Sequence, residues 1–475
     1  MTLLSLIIVI GLSLLIGYFA HGRARSWALL VASVLVIYWL QPGTPIRHLD
    51  FWLPTTSLVL AIFTWILTRP KDAPDLRSNL TAGGVIAVVI LLIGSSRYLG
   101  PLCCLTPSRP PEIHQIFLWI SLVTLIAALA AYFSHGRVGW IYGFSIFILA
   151  LFIVLKSEQL TRYASMALRS FNGQSVELAS SLDIRWLGFS YVAFRLLHTL
   201  RDRLSGRLPS LTLQDYVIYI IFFPTFTAGP IDRVQHFIQN LHQPFQLSMQ
   251  HILQGGKRIL MGIFNKFVLA DGLALIALNS NNASQVNSTI WLWIMVYAFA
   301  LRIFFDFSGY TDIAIGIGYF VGIELPENFE RPYLKQNLTL FWNSWHMTLA
   351  GWFRAYFFNP LTRTLRSQLQ NIPLPLIIFI GQLSTFILIG LWHGISWNFA
   401  IWGAWHGLGL FIHNRWSDML RSKTSNLDSQ PRLKRWMSAG STLITFHYVS
   451  LGWVWFVLPN PEQSIRTLIK LFGLA

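Results

Sequence analysis

Two Trp-His-Gly tripeptides, Trp392–Gly394 and Trp405–Gly407, lie in one apolar stretch running from Leu374 to His413. Upstream of them is Phe341-Trp342-Asn343-Ser344-Trp345-His346-Met347, followed by Trp352-Phe353-Arg354. An imidazole in apolar surroundings is kept neutral by desolvation, and a neutral imidazole accepts a proton. His393 is the residue to explain, because Gly394 beside it leaves the room a substrate needs. The same setting suits a hydrogen-bonded core histidine, and the local sequence does not choose between the two. His346, His393, His406 and His413 together raise the question of a metal. The close ligand spacings are missing, however, and no nearby carboxylate or cysteine completes a site, so no metal is expected. Ser308, Ser344 and Ser396 lack the glycine elbow of a nucleophilic serine.

Two further clusters carry polar groups that lipid would not tolerate, since a charge at the bilayer centre costs at least ~2.5–3.5 kcal/mol. In Phe223 to Arg233, the Gly229-Pro230 pair breaks a helix, and Asp232 beside Arg233 is placed for a local ion pair. Phe305 to Asp312 holds two carboxylates, Asp306 and Asp312. Six residues turn a helix by about 600°, which leaves the two on opposite flanks. Structural hydrogen bonding of Asp306, to an arginine such as Arg302, is therefore expected over a paired acid and base.

The elements that must position these residues are membrane helices. The 475 residues are 54% hydrophobic and only 11% charged, against about 25% charged in soluble domains. The mean hydropathy of +0.53 agrees. A soluble enzyme, a disordered chain and a disulfide scaffold are excluded. The net charge of +16 belongs to topology-setting loops and anionic head groups. No basic run carries spaced stacking aromatics, so the expected partners are membrane lipids and not nucleic acid.

About 20 apolar residues span a bilayer, and segments of that kind are predicted at 1–20, 27–40, 51–67, 80–96, 115–133 and 138–155. Further ones follow at 186–200, 213–228, 257–279, 289–307, 308–323, 374–391, 395–413 and 439–458. The segment 341–358 reads as amphipathic, interfacial or lining a cavity. The interval 156–185 is an interfacial helix or an external loop. The fold class is an all-α polytopic membrane protein of about a dozen transmembrane, re-entrant and interfacial helices. The first segment has its basic residues, Arg23 and Arg25, after the apolar run, which predicts a first membrane helix and not a cleaved signal. Asn279–Ser288 carries no charge, whereas Arg415–Arg435 holds six basic residues. The positive-inside rule places the first outside and the second in the cytoplasm.

Phe222 to Arg233, Phe305 to Asp312, Pro326-Glu327-Asn328-Phe329 with Arg331-Pro332-Tyr333, Phe341 to Arg354, and Trp392-His393-Gly394 occur in that order. Together they resemble the membrane-bound O-acyltransferase family. The similarity runs from about residue 185 to 460 and is to the bacterial branch that includes alginate O-acetyltransferase and the D-alanyl transfer protein of teichoic acid modification. The resemblance implies a ring of helices around a central tunnel. An acyl thioester (acetyl-CoA or an acyl-carrier protein) enters from the cytoplasm, and a hydroxyl acceptor enters from the other side. No bound cofactor is implied.

The family's key histidine falls on His393 and its second on His346. A hydroxyl is a poor nucleophile until a base takes its proton, and a well-placed base contributes about 10²–10⁴-fold. His393 is expected as that base and His346 as a positioning group. Asn343, Trp345, Trp392, Asn398, Asp306 and Arg354 are the expected substrate-binding set. The implied organisation is N-terminal transmembrane helices over 1–155, an acyltransferase core over 156–460 and a tail over 461–475. The implied setting is the bacterial inner membrane, with a polysaccharide acceptor or an extracytoplasmic acyltransferase partner.

Gly229 to Arg233 and Trp345-His346-Met347 look closer to the D-alanyl branch. Trp392 to Asn398, with the later Trp405-His406-Gly407, looks closer to the polysaccharide O-acetyl branch. Asn343-Ser344 replaces the arginine-containing dipeptide common to both. Acetylation of an exported or cell-wall polysaccharide is the favoured expectation, with D-alanyl transfer as the alternative. A transporter using buried His and Asp as a proton relay is the reading from another class, and the Trp-His-Gly and Pro-Glu-Asn-Phe motifs argue against it.

Overall fold

In the computed structural model the apolar runs form helices joined by short loops, described for residues 2–70, 76–133, 138–369, 371–420 and 431–474. Among the described residues no strand forms, and one isolated antiparallel bridge pairs Phe329 with Trp345. The all-α polytopic class holds. The chain divides into two units, Met1–Ile259 with Ile313–Leu325, and Leu260–Asp312 with Pro326–Ala475.

Six helices among the described residues are long and apolar enough to cross a bilayer: Leu49–Thr68, Leu76–Tyr98, Ile113–Phe133, Val138–Lys156, Thr289–Val321 and Leu374–His393. The dozen expected from sequence is not reached by these alone. Several other apolar runs are shorter or broken. The 213–228 run is helical only over Leu213–Ile221, because Pro224 and Gly229-Pro230 end it. The 257–279 run is a helix to Ile263, a π-helical turn Phe264–Ala270 and a short helix Asp271–Ala274. The 156–185 interval is an amphipathic helix, Glu158–Phe171, followed by a loop. The basic interval Arg415–Arg435 is bounded by helices Trp397–Leu420 and Pro431–Val457; its centre, 421–430, lies outside the described residues.

Segments 289–307 and 308–323 were expected as two and form one continuous helix of 33 residues. The glycine at the expected break serves contact instead. A side chain at Gly309 would meet the Gly262 carbonyl at 2.7 Å and the Lys266 backbone at 2.9 Å.

In the N-terminal unit, helix Leu49–Thr68 is central, with 67% of its apolar window buried, whereas the windows of Ile113–Phe133 and Val138–Lys156 are 6% and 11% buried. Those two present their apolar side chains outward, as lipid-facing helices do. Hydroxyls inside the helices bond back to their own backbone: Thr55 to Phe51, Thr64 to Leu60 and Ser13 to Val9. Asp50, fully buried, accepts the Ser108 amide at 2.7 Å and its hydroxyl at 2.6 Å.

In the second unit, helices Leu374–His393 and Trp397–Leu420 form a close hairpin. A side chain at Gly403 would meet the Phe386 carbonyl and the Ile387 Cα, the latter at 2.7 Å. Absence of a side chain there lets the two backbones touch, the usual means of packing helices in lipid. This hairpin and the segment between Pro326 and Phe358 carry the expected site residues other than Asp306, which lies on helix Thr289–Val321.

Candidate active site

Asn337 caps a short helix, Leu338–Trp342, through its side chain and the Leu340 amide. The chain then turns through Asn343–His346 and starts helix Met347–Phe353, which runs on as a π-helical turn, Arg354–Phe358. The turn is clamped to the Pro-Glu-Asn-Phe segment. The Glu330 amide donates to the Ser344 carbonyl and the Met347 amide to the Asn328 carbonyl, both at 3.0 Å.

His346 sits at the corner with φ 43° and ψ 53°, a left-handed conformation that costs a non-glycine residue of order 1–3 kcal/mol and persists only where its surroundings hold it. The holding residue is Asn328, which is 0% exposed. Its Oδ1 accepts the Thr348 amide at 3.2 Å and the Thr348 hydroxyl at 2.8 Å, and it lies 3.1 Å from His346 Nδ1.

The Thr348 backbone amide is always a donor, so the facing atom of Asn328 must be the carbonyl oxygen. Nδ1 of His346 must then carry the proton, which leaves Nε2 with a bare lone pair. That Nε2 is buried and has no hydrogen-bond partner. His346 lies outside the six apolar spans, is 4% exposed and is held neutral by burial, its pKa pushed down to about 3. The Phe307 ring packs edge-on against the imidazole at 4.6 Å.

His346 lines a cavity of about 200 Å³ with Asn343, Trp345, Arg354 and Gln382 among its walls. Arg354 Nη2 donates to Asn343 Oδ1 at 2.7 Å, so two expected binding residues form one exposed polar edge. The Gln382 side-chain oxygen is buried with no partner. Trp345 contributes mainly packing: it stacks on Phe341 at 5.6 Å and meets Trp453 at 5.2 Å.

His393 is the last residue of helix Leu374–His393 and is half-buried. Its ring is enclosed by Trp392, Phe399, Trp402 and Phe456, with centroids 4.5 to 5.9 Å away. Trp392 also meets the His346 ring at 6.2 Å, so one indole touches both histidines. The other two histidines sit elsewhere: His406 is fully buried against Trp342 and Trp402, and His413 faces Thr339 and Ser417.

Four expected site residues do not line this cavity: His393 and Trp392, which reach it through the Trp392–His346 ring contact, and Asn398 and Asp306. Asn398 is 2% exposed, and its Nδ2 donates to the Leu458 carbonyl at 2.6 Å and the Ser464 hydroxyl at 3.0 Å. It ties two helices to a third. Asp306 is exposed and pairs with Lys266, not with the arginine expected. In the N-terminal unit, Asp232 is held by the Arg233 amide at 2.7 Å and the His236 imidazole at 2.8 Å, so its helix-turn partner is a histidine. Sequence reasoning gave no role to Asn328, Gln382 or Lys266. For Asn328 the signal was present, since it lies in a quoted motif, but nothing local links it to a histidine 18 residues away.

The profile of the membrane-bound O-acyltransferases matches residues 113–450. The chain belongs to the membrane-bound O-acyltransferase family. It is 34% identical to the peptidoglycan O-acetyltransferase of Helicobacter pylori over 55% of this chain and 47% of that protein. It is 30% identical to the teichoic acid D-alanyltransferase of Bacillus subtilis over 58% and 69%. It is 31% identical to the probable alginate O-acetylase AlgI of Azotobacter vinelandii over 60% and 54%. The match thus spans about half the length of the two O-acetyl relatives. Residues 113–450 include the clamp, both histidines and the hairpin of this family member, which is a multi-pass membrane protein.

Proposed function

We propose that this chain is an O-acyltransferase that moves an acetyl group from a cytoplasmic thioester to hydroxyls of an exported or cell-wall polysaccharide. The observation that supports it best is the pair of histidines meeting on Trp392, one of them lining a cavity with a bare Nε2. In the proposed step His393 takes the proton of the acceptor hydroxyl. The oxygen attacks the thioester carbonyl, the carbon–sulfur bond breaks, and the thiolate leaves and is protonated. His346 orients the acceptor or donor, and the Arg354–Asn343 edge binds its polar part. The acceptor or an extracytoplasmic acyltransferase partner waits outside, the donor or its carrier protein comes from the cytoplasm, and the setting is the bacterial inner membrane. The tunnel is proposed to lie within a core over 156–460, after the helices of 1–155 and before the 461–475 tail.

A second reading exchanges the two roles. The bare Nε2 of a neutral, buried imidazole is itself an acceptor for a hydroxyl proton, which favours His346 as base. Turnover of acetyl-CoA by the purified protein, followed as free thiol with an oligosaccharide acceptor, separates them. With His393 as base, His393→Ala loses about 10²-fold or more in kcat, while His346→Gln raises KM and keeps most of kcat. The reverse pattern assigns the base to His346. Near-normal kcat in both folded variants would contradict histidine catalysis.

D-alanyl transfer to teichoic acid or a similar envelope polymer is the alternative chemistry, and the similarity to the Bacillus subtilis teichoic acid D-alanyltransferase favours it.

A further inference from the structure

The N-terminal unit holds a cavity of about 1070 Å³ lined by His21, Arg23, Arg25, Gln214 and His242, with Trp27 and Phe245 on its apolar side. Three helices begin at it: Arg23–Trp39, Leu76–Ser95 and Leu213–Ile221. The Leu213 and Asp215 amides are already taken by Asn79 and Thr212, and the Ala24 amide by the His21 carbonyl, so what these helix ends bring to the cavity is mainly a partial positive charge. Gly22, which precedes the first of them, supplies no side-chain cap.

These features alone would define only a basic surface; the buried donors point to a ligand. Arg25 is 2% exposed. Its Nη2 donates to the Asn240, Leu241 and Gln243 carbonyls at 3.3, 2.5 and 3.1 Å and its guanidinium lies over the Phe245 ring at 5.2 Å, while its Nε and Nη1 have no hydrogen-bond partner. Gln214 Nε2 is a second buried donor with none. Unmet buried donors are costly and are normally answered by an acceptor. The one carboxylate on the wall, Asp215, is engaged by His242 at 3.1 Å.

We infer that this cavity binds a phosphate ester, its oxygens received by Arg25, Gln214 and Arg23, its apolar part lying on Trp27. The ester is either the head group of an anionic phospholipid or a soluble organic phosphate. Basic residues gather at this membrane edge, which the positive-inside rule makes cytoplasmic. The inference does not depend on acyl transfer.

The test uses the full chain purified in detergent and its thermal unfolding midpoint. Phosphatidylglycerol is titrated against phosphatidylcholine, and inorganic phosphate against chloride at equal ionic strength. Because Arg25 also caps carbonyls, the variants are the exposed pair His21→Gln/Arg23→Gln and, separately, Gln214→Ala. A saturable rise of the midpoint is expected, with saturation moved about tenfold higher in the variants. A rise with phosphatidylglycerol alone assigns the site to a lipid head group. A rise with inorganic phosphate as well assigns it to a soluble phosphate ester. No rise over the controls, or the same titration in the variants, overturns the inference.

Discussion

Asn328 decides which nitrogen of His346 carries the proton, and its effect should be measurable apart from the histidine itself. Asn328→Ala leaves the Thr348 amide and hydroxyl and His346 Nδ1 without their common acceptor. The expected cost is about 1–3 kcal/mol of stability, with turnover falling further than that of a Thr348→Val control. His346 also predicts a pH dependence. Its folded-state pKa, pushed down to about 3, lies below the ordinary value of 6.5. The unfolded chain therefore takes up a proton that the folded chain refuses. Stability from this group is full above pH 6.5 and falls as pH drops toward 3. Unfolding midpoints measured across that window should fall less steeply in His346→Gln; an unchanged slope would contradict the buried, neutral imidazole.

The helical hairpin is the element that carries His393, and Gly403 sets how closely its halves approach. Gly403→Val should separate the backbones and lower stability by about 1–3 kcal/mol, read as a lower midpoint, with turnover falling in step. Asn398 belongs to the same scale. Its amide joins helix Trp397–Leu420 to the Leu458 carbonyl and Ser464, so Asn398→Ala should lower the midpoint and leave KM unchanged. A raised KM at an unchanged midpoint would return Asn398 to the substrate.

Here the sequence was readable where periodicity and length decide: the apolar runs expected at 51–67, 115–133 and 138–155 appear as helices Leu49–Thr68, Ile113–Phe133 and Val138–Lys156. It was not readable where a contact decides. Ser308-Gly309 reads as a helix break until Lys266 is seen against it, and Asp306 finds that lysine 40 residues away. His393 and His346 could be named from their tripeptide contexts, but the bond fixing the tautomer of His346 crosses between two loops.

At the scale of the whole molecule, the proposed transfer takes a thioester from one side and a hydroxyl from the other, so sidedness is part of the proposed chemistry. A cysteine at Asn282 should react with a membrane-impermeant maleimide in intact cells, and one at Arg432 only after permeabilisation. The opposite pattern would invert the topology and with it the donor side.

The proposed activity itself is tested most directly on ester-linked groups of the cell envelope. Cells carrying the wild-type protein, His393→Ala or His346→Gln would be treated with mild base and the released acids identified by mass spectrometry. The account predicts acetate in the wild type and its loss in His393→Ala at equal protein level. Loss of D-alanine instead would contradict acetylation and support the D-alanyl reading. Unchanged release of both acids in His393→Ala and His346→Gln would contradict acyl transfer by either histidine.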